Sequence, residues 1–431
     1  MRTGTILTVI VLVYSQVPEQ IHLSLGDSPQ SLTVQWVTFS PTATSTVLLC
    51  SPQCSPVSGS MRKWVYSDLP AFPSPIPRYL HSVTLRDLTP GLLYRYQVGS
   101  EEYYSPALFL RGPPHDSQAT RSFNQTSFLV FGDFGVCSDR SKLTLQALIR
   151  EAEEMRDDVF VHTGDIAYNL EYDNGVRGDE YMRAVQPFAS RIPYMVVVGN
   201  HEKHQNFTHF KHRFRMPQAE NENLYYSVNL GPVHLIVYSS EVFCPKQRCR
   251  DVRKSQWNWL LRDLEQARVT RDLRPWVIAF AHKPMYCSAE WRDTSNVEDC
   301  ALQPLDMRRE YEDLLAAYDL DLHFHGHVHA YERTTPLYQG HVQSAAFASP
   351  HLFVSPKAPI YVVEGSAGTC RPDDVNYPST GPEPWSLFRS ADFGYSRVEA
   401  NLTTLKLTRY TAQAGVEDLF YILKPQSKNW A

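Results

Sequence analysis

The sequence lacks a strong excess of either charge. Its 431 residues carry 41 Lys and Arg against 46 Asp and Glu, a formal net charge of -5. A large basic surface is the usual footprint of a protein that binds nucleic acid, so its absence argues against such a partner. After the first residues the sequence also lacks any apolar run near the roughly 20 residues that a transmembrane helix needs. We therefore predict no nucleic-acid partner and no membrane span.

The sequence also lacks a Cys-x-x-Cys pair, which argues against a zinc ribbon. It has eight cysteines, at positions 50, 54, 137, 244, 249, 287, 300 and 370. An even number of cysteines is typical of disulfide-bonded extracellular proteins. The short spacings permit local disulfides, although the sequence alone leaves the pairing open; these spacings are Cys50/Cys54, Cys244/Cys249 and Cys287/Cys300.

Residues 1–16 are similar to a secretory signal peptide. Arg2 supplies a positive charge, Ile6–Tyr14 form a short apolar core, and a small residue follows. A buried first strand is the alternative interpretation. Three glycosylation sequons begin at Asn124, Asn206 and Asn401. Together with the cysteines, these features predict a secreted or lysosomal glycoprotein that enters the secretory pathway.

Residues 17–115 show short alternating strands separated by turns. Ser31–Thr38 alternates apolar and polar residues, which is typical of a half-buried strand. The turn Leu88-Thr89-Pro90-Gly91 leads into Tyr94-x-Tyr96. That pattern resembles the tyrosine corner of fibronectin type III sandwiches, in which a Tyr hydroxyl satisfies backbone groups at a strand corner. We predict an all-β fibronectin type III-like sandwich here.

From residue 126 the pattern changes to alternating strands and helices. Phe128–Phe131 is a buried strand, Lys142–Arg156 is an amphipathic helix, and Val159–Val161 is the next strand. Such alternation predicts an α/β domain, which we place at residues 126–345. Residues 346–431 return to strands, and we predict that they form a β-rich part packed on the α/β domain.

Five strands of this domain are each followed at once by polar residues. These sequences are Gly132-Asp133-Phe134-Gly135, Gly164-Asp165-Ile166-Ala167-Tyr168, Gly199-Asn200-His201-Glu202, Ala281-His282-Lys283-Pro284 and Gly326-His327-Val328-His329. Open α/β sheets bind ligands at the carboxyl ends of their strands. We therefore expect these side chains to converge at one edge of a sheet.

The residue types in these sequences suit a pair of metal ions. Carboxylate, amide oxygen, imidazole and phenolate groups are ligands for iron, zinc or manganese. Seven groups can give each of two ions four ligands only if one group bridges, and the carboxylate after the second strand is the natural bridge. A single Gly-Asp is usually a turn, but five such motifs in order are hard to obtain by chance.

This order of motifs resembles the metallophosphoesterase superfamily, and its details resemble the plant-type purple acid phosphatases. Generic metallophosphoesterases usually place a His two residues after the first Asp, where this chain has Gly135. Tyr168 lies three residues after Asp165, where the purple enzymes supply a tyrosinate. The resemblance runs from about Gln20 to Leu423. It implies an α/β domain of two mixed sheets flanked by helices.

The resemblance also implies a binuclear centre of Fe(III) and a second divalent metal, Zn, Fe or Mn. The predicted metal ligands are Asp133, Asp165, Tyr168, Asn200, His282, His327 and His329. By resemblance, Fe(III) takes Asp133, Tyr168 and His329, the divalent ion takes Asn200, His282 and His327, and Asp165 bridges. The implied activity is an acid phosphatase that hydrolyses phosphate monoesters by attack of a metal-bound hydroxide. His201 resembles the family histidine that hydrogen-bonds phosphate and protonates the leaving group.

Other residues receive a structural interpretation. His323 and His325 alternate with the predicted ligands, but the Gly326 turn breaks the register, so we expect both to be structural. His204 and His209 are expected to be loop residues. Plant-type members carry phosphate-binding histidines after His282 and this chain does not, so Arg292 is a candidate phosphate clamp. The alternative is that Arg292 lies in a surface loop held by Cys287 and Cys300.

Two other functions fit the same sequence. One is a di-zinc or di-manganese phosphodiesterase or nucleotidase on the same fold, against which Tyr168 argues. The other is an extracellular binding glycoprotein with a structural metal site. The substrate, the divalent metal and the oligomeric state, including a homodimer, are left open.

Overall fold

The computed structural model describes residues 16–67, 75–114, 125–244, 246–293, 296–299, 305–343, 347–370, 375–377, 382–413 and 415–424. The predicted signal peptide lies almost wholly outside these residues. Asn124, Cys300 and the side chain of Arg292 also lie outside what is described. Within the described ranges, no helix is both long and apolar enough to cross a membrane.

The amino-terminal part is the predicted β-sandwich. Its strands are β1 Glu19–Leu25, β2 Leu32–Thr38, β3 Thr46–Cys50, β4 Cys54–Ser58, β5 Ser60–Val65, β6 Pro77–Leu85, β7 Leu93–Ser100, β8 Tyr103–Tyr104 and β9 Leu108–Arg111. They form one sheet in the order β1-β2-β6-β5 and a second in the order β4-β3-β7-β8, with β9 paired to β7. The Tyr94 hydroxyl accepts a hydrogen bond from the Thr89 N–H at 2.9 Å, so the predicted tyrosine corner is confirmed.

The rest of the chain alternates strands and helices and then returns to strands. The strands are β10 Gln125–Phe131, β11 Val159–His162, β12 Tyr194–Val196, β13 Tyr226–Leu230, β14 Val233–Val237, β15 Trp276–Phe280, β16 Glu290–Asp293, β17 Asn296–Asp299, β18 Leu322–His325, β19 Tyr331–Tyr338, β20 His341–Val342, β21 Phe347–Ser349, β22 Leu352–Val354, β23 Ile360–Glu364, β24 Val375–Asn376, β25 Ser386–Ser390, β26 Gly394–Asn401, β27 Thr404–Thr411 and β28 Val416–Leu423. The helices are α1 Asp139–Glu154, α2 Val176–Ala189, α3 Thr208–Arg213, α4 Gln247–Val269 and α5 Leu305–Ala317.

Helix α1 shows how local sequence sets an element's bounds. Ser138 Oγ caps the amino terminus by accepting a hydrogen bond from the Ser141 N–H, and Ser141 Oγ accepts one from the Ser138 N–H. This capping box starts the helix three residues before the apolar periodicity predicted it. Met155 ends it in the left-handed conformation.

Two large mixed sheets share one hydrophobic core. The first sheet has the order β12-β11-β10-β26-β27-β28-β22-β21, and the second has the order β13-β14-β15-β18-β23-β19-β20. Phe128 of the first sheet contacts Phe280 of the second edge to face, with ring centroids 6.3 Å apart. The predicted fold class, a β-sandwich followed by an α/β domain of two mixed sheets, is confirmed.

The strands that carry the predicted site do not belong to one sheet. Strands β10, β11 and β12 are parallel neighbours in the first sheet, whereas β15 and β18 lie in the second. The expectation of a single sheet edge is therefore wrong. The carboxyl ends of strands from both sheets nevertheless meet, because His282 after β15 lies 2.9 Å through Nδ1 from the Thr163 carbonyl after β11.

A buried ionic cluster joins the sandwich to the α/β domain. Asp179 of α2 accepts two hydrogen bonds from Arg78 of β6 through Nε and Nη2, and another from Arg213 of α3 at 2.8 Å. We call Arg78, Asp179 and Arg213 the interface cluster. The rings of Trp64 and Tyr66 pack against His209 beside it, at 4.8 and 4.1 Å. His209 lies in helix α3 and not in a loop as predicted.

Three disulfides join described cysteines. Cys50–Cys54 and Cys244–Cys249 are two of the local bonds that the spacing permits. The third joins Cys137, after β10, to Cys370, after β23, across 233 residues. Cys287 is disulfide-bonded as well.

Candidate metal centre

Tight turns bring the predicted ligands out of their strands. Asp133, Asp165 and His327 each directly follow a glycine and have φ angles of 57°, 55° and 70°. Such left-handed backbone is costly for residues other than glycine and is concentrated at functional sites. Gly164 has a φ of 99°, and a Cβ there would lie 2.6 Å from His282 Nδ1. Glycine is therefore required at this position by both conformation and space.

One group of side chains contains Asp133, Tyr168 and His329. The Tyr168 hydroxyl lies 3.2 Å from Asp133 Oδ1 and 3.0 Å from His329 Nε2. His329 Nε2 is 3.6 Å from the same Asp133 oxygen. The three polar atoms converge on one point although they come from three different turns.

A second group contains Asp165, Asn200, His282 and His327. His282 Nε2 lies 3.2 Å from Asp165 Oδ2 and 3.0 Å from Asn200 Oδ1. Ligand atoms of Asp165, His282 and His327 all lie within 4.8 Å of one another. The backbone N–H of His327 donates to Asp133 Oδ2 at 2.8 Å, which ties the two groups together.

Two residues without a predicted role hold these ligands in place. Glu202 accepts hydrogen bonds from the backbone N–H groups of Asp165, Ile166 and Gly199, at 3.0, 2.8 and 2.8 Å. The Thr163 carbonyl lies 2.9 Å from His282 Nδ1 and orients that ring, leaving Nε2 to face Asp165. Glu202 directly follows His201 in the motif, so its position was visible in the sequence. The bonding of Thr163 depends on tertiary structure.

The two carboxylates of the site titrate in opposite directions. Burial, together with the nearby charge of Asp165, raises the pKa of Asp133 to about 7. Burial also opposes ionisation of Asp165, but the positive charge and hydrogen bond of His282 outweigh it and lower the pKa of Asp165. Burial opposes protonation of His282 in turn, and the charges of Asp165 and Asp133 prevail and raise the pKa of His282 to about 10.

These residues fit a metal site better than a structural ion-pair network. Asp133 and Asp165 are buried, at 0% and 1% exposure. Among the described residues their ion-pair partners are histidines only, without an Arg or Lys. Buried carboxylates need a compensating positive charge, and oxygen and imidazole donors in this number suit borderline divalent and trivalent metals. The donor set therefore fits two metal ions.

His201 lies beside the second group. Its backbone N–H donates to Asp165 Oδ1 at 2.9 Å, and its Nε2 is 3.8 Å from Asp165 Oδ2. The ring contacts Tyr168, with centroids 4.7 Å apart. Its side chain is one-fifth exposed, whereas His282 is wholly buried. A partly exposed side chain at the edge of the metal site can reach a substrate that binds there.

Gly135 and the two additional strand histidines have structural explanations. A Cβ at Gly135 would lie 2.5 Å from Cys370 Sγ and 2.7 Å from Cys137 Sγ, so the disulfide fills the space of any side chain there. The His323 ring nitrogen Nε2 lies 2.9 Å from the Tyr238 hydroxyl. His325 stacks on the Tyr361 ring. Both histidines are buried among aromatic side chains, which supports their structural interpretation.

Comparison with known families covers nearly the whole described chain. Residues 18–111 match the purple acid phosphatase N-terminal domain, and residues 126–331 match the calcineurin-like phosphoesterase domain. Residues 358–418 match the iron/zinc purple acid phosphatase-like C-terminal domain.

Individual proteins lead to the same family. The chain is 36% identical to mouse acid phosphatase type 7 over 88% of this chain and 84% of that protein. It is 31% identical to the probable purple acid phosphatase 20 of Arabidopsis thaliana, over 88% and 81%. The structure of the yellow lupin purple acid phosphatase PPD1 shares the fold with a TM-score of 0.77 at 21% identity, over 95% of this chain and 75% of that one. The chain belongs to the purple acid phosphatase family, and its fold carries the binuclear metal centre of an acid phosphatase.

Proposed function

We propose that the chain hydrolyses phosphate monoesters at a centre of Fe(III) and a divalent ion, Zn, Fe or Mn. Asp133, Tyr168 and His329 would hold Fe(III). Asn200, His282 and His327 would hold the divalent ion, and Asp165 would bridge. The observation that carries this division is the grouping of side chains, with Tyr168 in contact with Asp133 and His329, and His282 in contact with Asn200 and Asp165.

Two bound ions would polarise the phosphoryl oxygens of the substrate and lower the pKa of a water molecule. The chain's own residues hold and orient the reacting groups. Glu202 fixes the turn that carries Asp165 and the turn that carries Asn200 through backbone hydrogen bonds. His201, at the exposed edge, is placed to hydrogen-bond the phosphate and to pass a proton from Nε2 to the leaving oxygen.

The rest of the proposal concerns the setting of the enzyme. We place it in the secretory pathway, as a secreted or lysosomal glycoprotein with glycans at Asn124, Asn206 and Asn401. The disulfides and the acid phosphatase relatives support that location. A signal peptide at residues 1–16, domain boundaries near residues 115, 126 and 345, Arg292 as phosphate clamp and a homodimer are further parts of the same hypothesis.

The test of the Fe(III) assignment is the substitution Tyr168→Phe. A phenolate bound to Fe(III) gives a visible charge-transfer band, so the oxidised wild-type protein should be pink to violet and the variant should lose the band. Phe keeps the ring that packs on His201, which makes the loss specific to the oxygen. Iron content should be retained in part through Asp133, Asp165 and His329.

Tyr181→Phe is the matched control. The Tyr181 hydroxyl is also buried and lies 3.0 Å from that of Tyr194, but it contacts none of the proposed ligands. Its removal should leave the band unchanged. If the band survives Tyr168→Phe with iron bound, the tyrosinate assignment is refuted. A metal-loaded wild-type protein without a visible band would instead favour the di-zinc or di-manganese phosphodiesterase.

A further inference from the structure

Asn169, which follows Tyr168, forms a short hydrogen bond with His201. His201 Nδ1 lies 2.6 Å from Asn169 Oδ1. Asn169 belongs to neither group of proposed ligands, and its side chain lies on the far side of the His201 ring from Asp165, because the other ring nitrogen faces that carboxylate. The contact therefore acts on His201 and not on the metal ligands directly.

The direction of the Asn169 amide is fixed by a second partner. Asn169 Nδ2 donates to Glu171 Oε1 at 2.9 Å, and the Glu171 side chain is buried. A carboxylate only accepts hydrogen bonds, so the NH₂ group must face Glu171 and the amide oxygen must face His201. This partner resolves the usual ambiguity between the two ends of an amide.

That direction decides which ring nitrogen of His201 carries a hydrogen. The Asn169 oxygen has only lone pairs to offer, so Nδ1 must be the donor. The neutral ring then keeps its lone pair on Nε2, the nitrogen that lies 3.8 Å from Asp165 Oδ2. Nε2 is therefore the nitrogen that takes up a proton when the ring becomes an imidazolium, and the nitrogen from which that proton passes to the leaving oxygen. The Tyr168 ring packs on the imidazole and restricts its rotation. Glu171, Asn169 and His201 form a chain in which each member orients the next.

We propose that Asn169 is a positioning residue that sets both the tautomer and the ring orientation of His201, so that Nε2 faces the reacting phosphate. The inference rests on the proposed role of His201. A histidine with the wrong tautomer or a rotated ring presents the wrong atom. Residues that orient metal-binding histidines affect activity about 10- to 100-fold, and we expect the same range for a residue that orients His201.

The experiment compares Asn169→Leu with wild type for metal content, visible spectrum and kcat on a chromogenic phosphomonoester. Leu has a similar volume and no acceptor, so we expect full metal content, an unchanged spectrum and a kcat lowered roughly 10- to 100-fold. Asn169→Ala is the second variant if Leu prevents folding, because it needs less space. Loss of metals in every folded variant would show that Asn169 supports the metal centre itself, and the inference would be wrong.

The matched control is Asn229→Leu. Asn229 Oδ1 lies 2.7 Å from His234 Nδ1, so the substitution removes the same kind of bond from a histidine that contacts none of the proposed ligands. It should leave kcat unchanged. A loss equal to that of Asn169→Leu would attribute the effect to general destabilisation and overturn the inference.

A double-mutant cycle with His201→Ala separates this inference from the proposed function. His201→Ala alone should keep its metals and lose roughly 10²- to 10⁴-fold in turnover. If Asn169 acts through His201, adding Asn169→Leu should change kcat by less than about twofold further. Full additivity would contradict the inference and leave the role of His201 intact. A normal turnover in His201→Ala would instead contradict the proposed function.

Discussion

The interface cluster and the metal centre each contain buried carboxylates, but the residues that contact those carboxylates differ between the two. Asp179 in the interface cluster is 2% exposed, and Asp165 in the metal centre is 1% exposed. Asp179 is held by two arginines with four direct hydrogen bonds between 2.6 and 3.0 Å. Asp165 and Asp133 face histidines in the described part of the chain.

The partners explain a difference in electrostatics between the two clusters: the pKa of Asp165 is lowered like that of Asp179, but the pKa of Asp133 is raised. Burial opposes ionisation of Asp179, but Arg213 and Arg78 outweigh it and lower its pKa. The same burial, together with the nearby charge of Asp165, raises the pKa of Asp133 to about 7, because the charges of His282 and His329 lower it too little to compensate. An arginine supplies a permanent charge, whereas a histidine supplies a lone pair to a cation. A buried carboxylate among arginines is thus structural, and one among histidines is prepared for metal ions.

Removal of the shared carboxylate should have the largest effect on function. Asp165→Ala should lose both metals and at least about a thousandfold in rate, since metal catalysis supplies several kcal/mol of transition-state stabilisation. Elemental analysis and turnover measure both losses, and circular dichroism should show the wild-type fold. Two stoichiometric metals bound to the variant would contradict the bridging role.

Removal of the carboxylate of the interface cluster should lower stability and leave the metal centre intact. Asp179→Ala leaves Arg78 and Arg213 buried without their shared carboxylate, which should cost about 3–5 kcal/mol in the free energy of unfolding. Metal content and the specific activity of the folded fraction should be kept. Urea unfolding followed by fluorescence measures the loss.

Glu154→Ala is the control for that measurement. Glu154 pairs with Arg156 at 2.6 Å, but both side chains are more than half exposed. Such a pair contributes little, so the change should stay within about 0.5 kcal/mol. An equal loss in the two variants would show that burial and arginine partners do not matter, and the comparison between the clusters would fail.

The smallest expected effect is a change with pH in the stability that Asp179 contributes. The pKa of Asp179 is lowered in the folded protein, so the unfolded chain takes up the proton first as pH falls. The stability that Asp179 contributes is fully present above its unfolded pKa of about 3.9 and is lost as pH falls through its lower folded pKa. The difference in unfolding free energy between wild type and Asp179→Asn should therefore be constant from pH 7 to 5 and shrink below pH 4. A constant difference down to pH 2 would contradict the lowered pKa.

The same contrast explains what the sequence could predict. The proposed ligands of the metal centre follow strands directly, so the motifs around Asp133, Asp165 and His327 were visible as local patterns. The interface cluster was not predicted, because Arg78 and Asp179 are 101 residues apart and neither belongs to a motif. The distribution of the site strands over two sheets was missed for a related reason. An apolar strand has the same sequence pattern in either sheet. The free edge of β10 pairs with β26, so β15 and β18 belong to a different sheet, and the sequence does not reveal that pairing.

The residues that orient the site were only partly predictable from the sequence. Glu202 and Asn169 lie next to predicted residues, but their roles depend on hydrogen bonds that no spacing encodes. Helix α3 was missed because its six residues are too short to show a helical period. It packs His209 against Trp64 and Tyr66 of the sandwich, so tertiary contacts decide its conformation.

The disulfide between Cys137 and Cys370 links the metal centre to a part of the chain that is synthesised much later. Cys137 is four residues from Asp133, but its partner Cys370 is synthesised 233 residues later. The covalent tie beside the first metal ligand therefore forms only after nearly all of the α/β domain has left the ribosome, and only in an oxidising compartment. Gly135 packs against the two sulfur atoms and leaves the space that the bond fills, because a Cβ there would lie 2.5 and 2.7 Å from them. Closure of this disulfide is in this way a late event in the synthesis of the chain.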